Sequence, residues 1–136
     1  MKSQLGHLQI NVNLTNLGFY KDLFHFLDWT TLCDEPTMFG AIDADGVSLG
    51  FGGSTKEVIN DYDGPGTNHI AIAVSNKDEV DQAVSYLGQH KIGALFDTPC
   101  HRPEFCADPT ETYYQVMFES PDRLLFEIYY SGPLAN

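Results

Sequence analysis

From Leu5 to Asn13 the chain alternates, with His7, Gln9, Asn11 and Asn13 on one face and Leu8, Ile10, Val12 and Leu14 on the other. That period of two predicts a strand. Leu17, Tyr20, Leu23, Phe24 and Leu27 then recur at three- and four-residue intervals, which predicts a helix over 16–27 with Thr15 as its N-cap. Trp29 to Cys33 and Met38 to Ile42 read as strands, and Asp43-Ala44-Asp45-Gly46 as a turn into a strand over Val47 to Phe51. The order is βαβββ. A polar linker over 54–66 ends in Asp61-Tyr62-Asp63-Gly64-Pro65-Gly66. The order then repeats. A strand is predicted over Asn68 to Val74. A helix capped by Asn76 follows to about His90, with Val80, Ala83, Val84 and Leu87 on its inner face. Ala94 to Asp97 is a short extended stretch and 98–110 a loop. Tyr113 to Glu119 and Leu124 to Tyr130 form a hairpin around Ser120-Pro121-Asp122-Arg123.

The two halves share more than element order. His7-Leu8-Gln9-Ile10-Asn11-Val12 and His69-Ile70-Ala71-Ile72-Ala73-Val74 each open on a histidine, and Glu127 sits in the closing strand of the second half. By strand parity each of the three lies opposite an apolar set that packs under a helix. Each therefore falls on a face suited to a cavity. Two histidines and one carboxylate suit a divalent metal with open positions for substrate. Taken singly, a strand histidine is a hydrogen-bonded residue and a strand glutamate a solvated one; their repeat-related placement makes the metal reading.

With 136 residues the chain is long enough for one domain. Apolar runs are too short to span a bilayer, and the start carries no signal-peptide pattern, so a cytoplasmic location is expected. Nineteen acidic against seven basic residues leave a net charge of −12, which argues against nucleic-acid or membrane partners. Polyanionic substrates are disfavoured too, since Arg102 and Arg123 are the only arginines. Cys33, Cys100 and Cys106 fit neither a disulfide framework nor a zinc spacing and are expected to be free thiols.

Three segments carry a family resemblance: Gly18-Phe19-Tyr20-Lys21-Asp22-Leu23, Gly66-Thr67-Asn68-His69-Ile70-Ala71, and Pro121-Asp122 followed by Glu127. In this order, on a duplicated βαβββ frame spanning nearly the whole chain, they resemble the vicinal-oxygen-chelate superfamily. That superfamily holds glyoxalase I, the bleomycin-resistance proteins, the extradiol dioxygenases, methylmalonyl-CoA epimerase and the fosfomycin-resistance enzymes. The resemblance implies an α+β, glyoxalase-like domain over 1–136, built of modules over 4–53 and 67–131 whose curved mixed sheet surrounds a cavity. It implies a metal at His7, His69 and Glu127 (Fe, Mn, Ni or Zn), a small-molecule substrate with neighbouring oxygens, and a homodimer.

The superfamily's fourth ligand position falls on Gly50, which has no side chain to coordinate with; a three-ligand centre is expected. Several three-ligand relatives place a catalytic tyrosine ten residues before the carboxylate, where this chain has Met117. Tyr113 shares its parity and is the candidate in its place. His101 is the candidate acid–base histidine, in a loop that would act as a lid or specificity element. His25 and His90, in or near helices, are expected at the surface. Gln9 is expected to orient substrate for catalysis, and Asn11, Ser48, Gly50, Met117 and Tyr129 to line the substrate side. The competing reading is a non-catalytic protein that sequesters a cationic drug-like molecule, which the acidic charge favours and the ligand triad disfavours. A relic of the fold without a metal is the third.

Overall fold

Asn13 ends the first strand by turning its own side chain back on the chain: Oδ1 accepts from the Thr15 N–H at 3.0 Å and from the Thr15 hydroxyl at 2.8 Å. A short 3-10 turn at Leu14–Asn16 follows, and the first α-helix, α1, runs over Leu17–Phe26. Thr15 is thus capped and is not the cap: Asn13 caps the 3-10 turn that Thr15 belongs to, and the N-cap of α1 is Asn16. The second helix, α2 (Lys77–Gln89), is capped as its sequence predicts: Asn76 Oδ1 accepts from the Glu79 N–H at 2.9 Å, and Glu79 reaches back to the Ser75 N–H at 2.7 Å.

The computed structural model describes residues 1–54 and 56–134; position 55, in the predicted linker, and the last two residues lie outside the described residues. The chain divides into two units, Met1–Ile59 and Asn60–Asn136. In the first, β1 (His7–Val12) pairs in parallel with β4 (Ser48–Gly53). That strand pairs antiparallel with β3 (Met38–Ile42), and β3 with β2 (Thr30–Glu35), giving the order β1-β4-β3-β2. In the second, β5 (Ile70–Ala73) is parallel to β8 (Leu125–Pro133). Next come β7 (Glu111–Glu119) and β6 (Leu95–His101), giving the order β5-β8-β7-β6. The sequence-predicted α+β class and the repeated βαβββ order are both realised. Among the described residues no helix is long and apolar enough to cross a membrane.

Each helix covers one face of its own sheet. In the first unit Tyr20, Leu23 and Phe24 of α1 are buried with Phe39, Ala41, Leu49, Phe51 and Val12. Phe51 lies at the centre, stacked on Tyr20 at 4.3 Å and tilted against Phe24 at 5.6 Å between centroids. Only Val12 of the predicted β1 apolar set is fully buried, while Leu8 and Leu14 are each 39% exposed. β1 is an edge strand, and alternation sets a side chain's face without supplying a partner for it. In the second unit Val80, Ala83 and Leu87 of α2 pack with Ile72, Val116, Phe118, Phe126, Ile128 and Tyr130.

The predicted loop over 98–110 is partly strand. β6 continues to His101, but its pairing with β7 slips between Leu95 and Cys100. The extra residues bulge out with Phe96 and Asp97 at φ of 56° and 57°, unusual for residues with side chains. The Thr98 hydroxyl ties the bulge down, donating to the Leu95 carbonyl at 2.6 Å and accepting from the Met117 N–H at 2.9 Å. Two left-handed residues and a proline hide this strand from a period-two reading.

Between α2 and β7, Asp81 accepts from Lys77 at 2.9 Å and from the Tyr114 hydroxyl at 2.8 Å. The Lys77 ammonium, and secondarily the Tyr114 hydroxyl, hold the Asp81 carboxyl below its usual range. Because the folded value is depressed, this contribution is complete above the unfolded carboxylate value near ~4 and fades as pH falls through the folded one. Asp81→Asn is therefore expected to melt below the wild type at pH 7, with the gap closing under about pH 4. Thermal melts at the two pH values check it. The gap should be small, since both partners are about half exposed.

Candidate metal centre

Glu127 is 3% exposed, a carboxylate inside the second unit. A buried charge is tolerated only where donors replace its water. Here Oε1 accepts from the Tyr113 hydroxyl and from Gln115 Nε2, the latter at 2.9 Å. Oε2 faces His69 Nε2 at 3.1 Å. Gln115 is fixed in turn by Arg102, whose Nε donates to its Oε1 at 3.0 Å. Burial and the Glu127 carboxylate both push the Tyr113 hydroxyl well above the usual phenol range, so it stays protonated and donating.

The other end of His69 settles its tautomer. Asn68 Nδ2 donates to the Tyr62 carbonyl at 3.1 Å, which leaves Asn68 Oδ1 to accept from His69 Nδ1 at 2.7 Å. With the proton on Nδ1, Nε2 presents a lone pair to the carboxylate oxygen. Two lone pairs at 3.1 Å repel unless a cation lies between them: a proton on Nε2 or a metal ion. Two donors each about 2.1 Å from one ion, at near right angles, stand about 3.0 Å apart. The pair therefore fits a divalent metal, and Asn68 behind His69 and Tyr113 with Gln115 behind Glu127 are the supporting partners such ligands need. Within either unit, among the described residues, no three His, Cys, Asp or Glu side chains are grouped to hold an ion by themselves. The second unit supplies two donors.

These groups open on a cavity of about 690 Å³, within the range of small-molecule sites. Its polar wall includes Asn68, His69, Arg102, Tyr113, Gln115 and Glu127, and its apolar wall Phe96, Phe105, Met117 and Leu125. Met117, paired with Glu127 across β7 and β8, lies on the cavity face, as does Tyr113. Tyr129 stands behind it, stacked on Tyr113 at 4.8 Å between centroids. His101 lines a different hollow with Cys106, Asp108 and Glu111, and its Nδ1 bonds Thr112 Oγ1 at 2.6 Å. The β6 pairing of His101 with Tyr114 turns it to the side away from Glu127.

The remaining predicted residues belong to the first unit. His7 pairs with Ser48 and Gln9 with Gly50, in the same register by which Ala71 pairs with Glu127. His7 and His69 are thus equivalent by strand register, as are Gly50 and Glu127. Gln9 lies over the bare strand: a Cβ added at Gly50 would stand 2.8 Å from its Oε1, and one at Gly52 2.9 Å from its Nε2. Gln9 Nε2 also donates to Met38 Sδ at 3.7 Å. Asn11, two residues on in β1, is exposed and pairs with Gly52.

Sequence reasoning missed Asn68, Gln115 and Arg102. Gln115 was within reach, since it shares the parity of Tyr113 and Met117. Arg102 was not, because its approach depends on the β6 bulge.

The fold is glyoxalase-like: two βαβββ units, each with one helix on a four-stranded mixed sheet. No protein-family model matches the chain, and no curated protein matches it. Solved structures do. A proposed glyoxalase from Bacillus halodurans superposes with a TM-score of 0.78 at 22% identity, covering 95% of this chain and 96% of that one. A glyoxalase/dioxygenase from Nostoc punctiforme gives 0.69 at 20% identity, over 95% and 91%. The fosfomycin-resistance protein FosX of Listeria monocytogenes, in complex with Mn(II) and sulfate, gives 0.68 at 18% identity, over 98% and 94%.

Proposed function

We propose that the protein is a metal-dependent enzyme of the glyoxalase/dioxygenase type acting on a small molecule with neighbouring oxygens. The observation that carries this reading is the His69 Nε2–Glu127 Oε2 pair at 3.1 Å, each member locked from behind. His69 and Glu127 would hold Fe, Mn, Ni or Zn, with His7 as the third donor on the sequence reading. Bound there, a divalent ion supplies Lewis acidity to neighbouring substrate oxygens, or with iron the activation of dioxygen. The chain's own residues do the rest. Asn68 keeps the His69 lone pair directed at the ligand position. Tyr113 and Gln115 hold one carboxylate oxygen so that the other stays available. Phe96, Phe105, Met117 and Leu125 exclude water from one side of the cavity. A Mn(II)-bearing protein of the same fold supports the choice of a divalent ion.

The test is metal analysis of untagged protein, with Mn(II), Fe(II), Ni(II) and Zn(II) titrations. Wild type is expected to bind one ion per chain and to melt at higher temperature when loaded. His69→Ala and His7→Ala should each weaken uptake, by at least the 10–100-fold typical of losing even a supporting partner. Uptake by His69→Ala equal to wild type rules the reading out; uptake unchanged only in His7→Ala removes His7 alone. A sequestering protein for cationic molecules is the weaker reading, because a sequestering groove needs no locked histidine–carboxylate pair.

A further inference from the structure

Arg102 is the cation in the wall of the Glu127 cavity that no carboxylate satisfies. It is half-buried and forms no ion pair among the described residues, in a chain where acidic residues outnumber basic ones nineteen to seven. The ion pairs present engage Lys21, Lys77, Arg123 and His69 instead. Asp63 and Glu104 line the same cavity without reaching it.

The guanidinium is also held still. Its Nε donates to Gln115 Oε1 at 3.0 Å and its Nη2 to the Phe96 carbonyl at 2.9 Å, while the Arg102 N–H donates to the Tyr113 carbonyl at 2.7 Å. Two of its five N–H groups are used, and three remain. A side chain fixed in advance loses little entropy on binding, and a planar fork matches a planar carboxylate. Beside it stand Phe96 and Phe105, 52% and 61% exposed. Phe96 is presented by the two left-handed residues of the β6 bulge, the kind of local strain that collects at binding sites.

We propose that Arg102 anchors a carboxylate of the substrate, so that the cavity selects a monoanionic small molecule with an apolar, ring-bearing body. This rests on the reading of that cavity as the substrate site. The wall also carries Asp63, Glu104 and Glu127, so a single guanidinium offers one cationic contact point, which suits one carboxylate better than a phosphate dianion. The bulge that presents Phe96 and the arginine that caps its carbonyl form one device: the same side chain fixes the apolar wall and reads the charge.

The probes are phenylacetate and phenylacetamide, equal in shape and different in charge, titrated by calorimetry or amide-shift NMR into metal-free protein at pH 7. Metal-free protein is used because a carboxylate would otherwise bind an ion directly. Phenylacetate is expected to bind at least about ten-fold tighter than the amide, as a charge-assisted hydrogen bond would give. Arg102→Gln should reduce that preference to under about two-fold, and Arg102→Lys should restore part of it, which repair of a displaced Gln115 would not do. Equal binding of the two probes by wild type, no binding of either, or an undiminished preference in Arg102→Gln overturns the proposal. Metal titration of the same samples separates the two claims. Wild type that takes no metal but keeps the phenylacetate preference sinks the metal centre and leaves the anchor standing.

Discussion

Glu127→Gln is expected to bind Mn(II) at least about 100-fold more weakly than wild type while staying within about 1 kcal/mol of it in metal-free stability. The amide can meet every demand of the metal-free site. Its oxygen accepts from Tyr113 and Gln115 where Oε1 does now, and its nitrogen donates to the His69 Nε2 lone pair where Oε2 now opposes it. No cation is then needed between the two residues. Glu127→Ala should behave differently. It strands two donors around a void, at about 1–3 kcal/mol for each group left unsatisfied. Thermal melts with and without Mn(II), beside a metal titration of both variants, separate stability from coordination. Wild-type affinity in Glu127→Gln would take this carboxylate out of the ligand set. A large metal-free destabilisation in Glu127→Gln would mean that the wild-type pair is held by an imidazolium charge.

Phe51→Ala should cost about 3–5 kcal/mol of folding stability, the range for emptying a large aromatic from a packed core. Phe51 is fully buried and touches three other rings: Tyr20 at 4.3 Å, Phe24 at 5.6 Å and Phe39 at 6.4 Å between centroids. Those rings come from a helix and a neighbouring strand, so the cavity cannot close by moving one side chain. Against a typical total of about 5–15 kcal/mol, the loss is a large share. Denaturant unfolding followed by the single tryptophan reads it directly, because Trp29 packs edge-on to Phe24 at 5.0 Å. A cost under about 1 kcal/mol would mean that the ring cluster is not the core of the first unit.

Element order and helix faces could be read in the sequence because burial imposes a period. Tyr20, Leu23 and Phe24, and likewise Val80, Ala83 and Leu87, recur at helical spacing and are the residues found buried. The centre of the site was half readable. His69 and Glu127 stood out by repeat and parity, and both lie at the cavity. What locks them did not stand out, because a hydrogen bond between Asn68 and His69, or between Gln115 and Glu127, leaves no periodic trace. Arg102 was hidden for a further reason. Its place depends on a bulge made by residues in a conformation that neither Phe96 nor Asp97 favours, and it looked like one charge in a polar loop. His101, a candidate only as a free histidine, takes the side of β6 away from Glu127, because the bulge carries that strand into the predicted loop.

The register that equates Gly50 with Glu127 also pairs Gln9 with the first and Ala71 with the second. One half places a long side chain beside a bare position; the other places a long side chain beside a methyl group, on the opposite strand. The two copies therefore place their bulk on different strands of the equivalent pair. An acid installed at Gly50 would meet only the flexible ends of Gln9 and Met38, which can turn aside, so a carboxylate can be added to the first half by a single change.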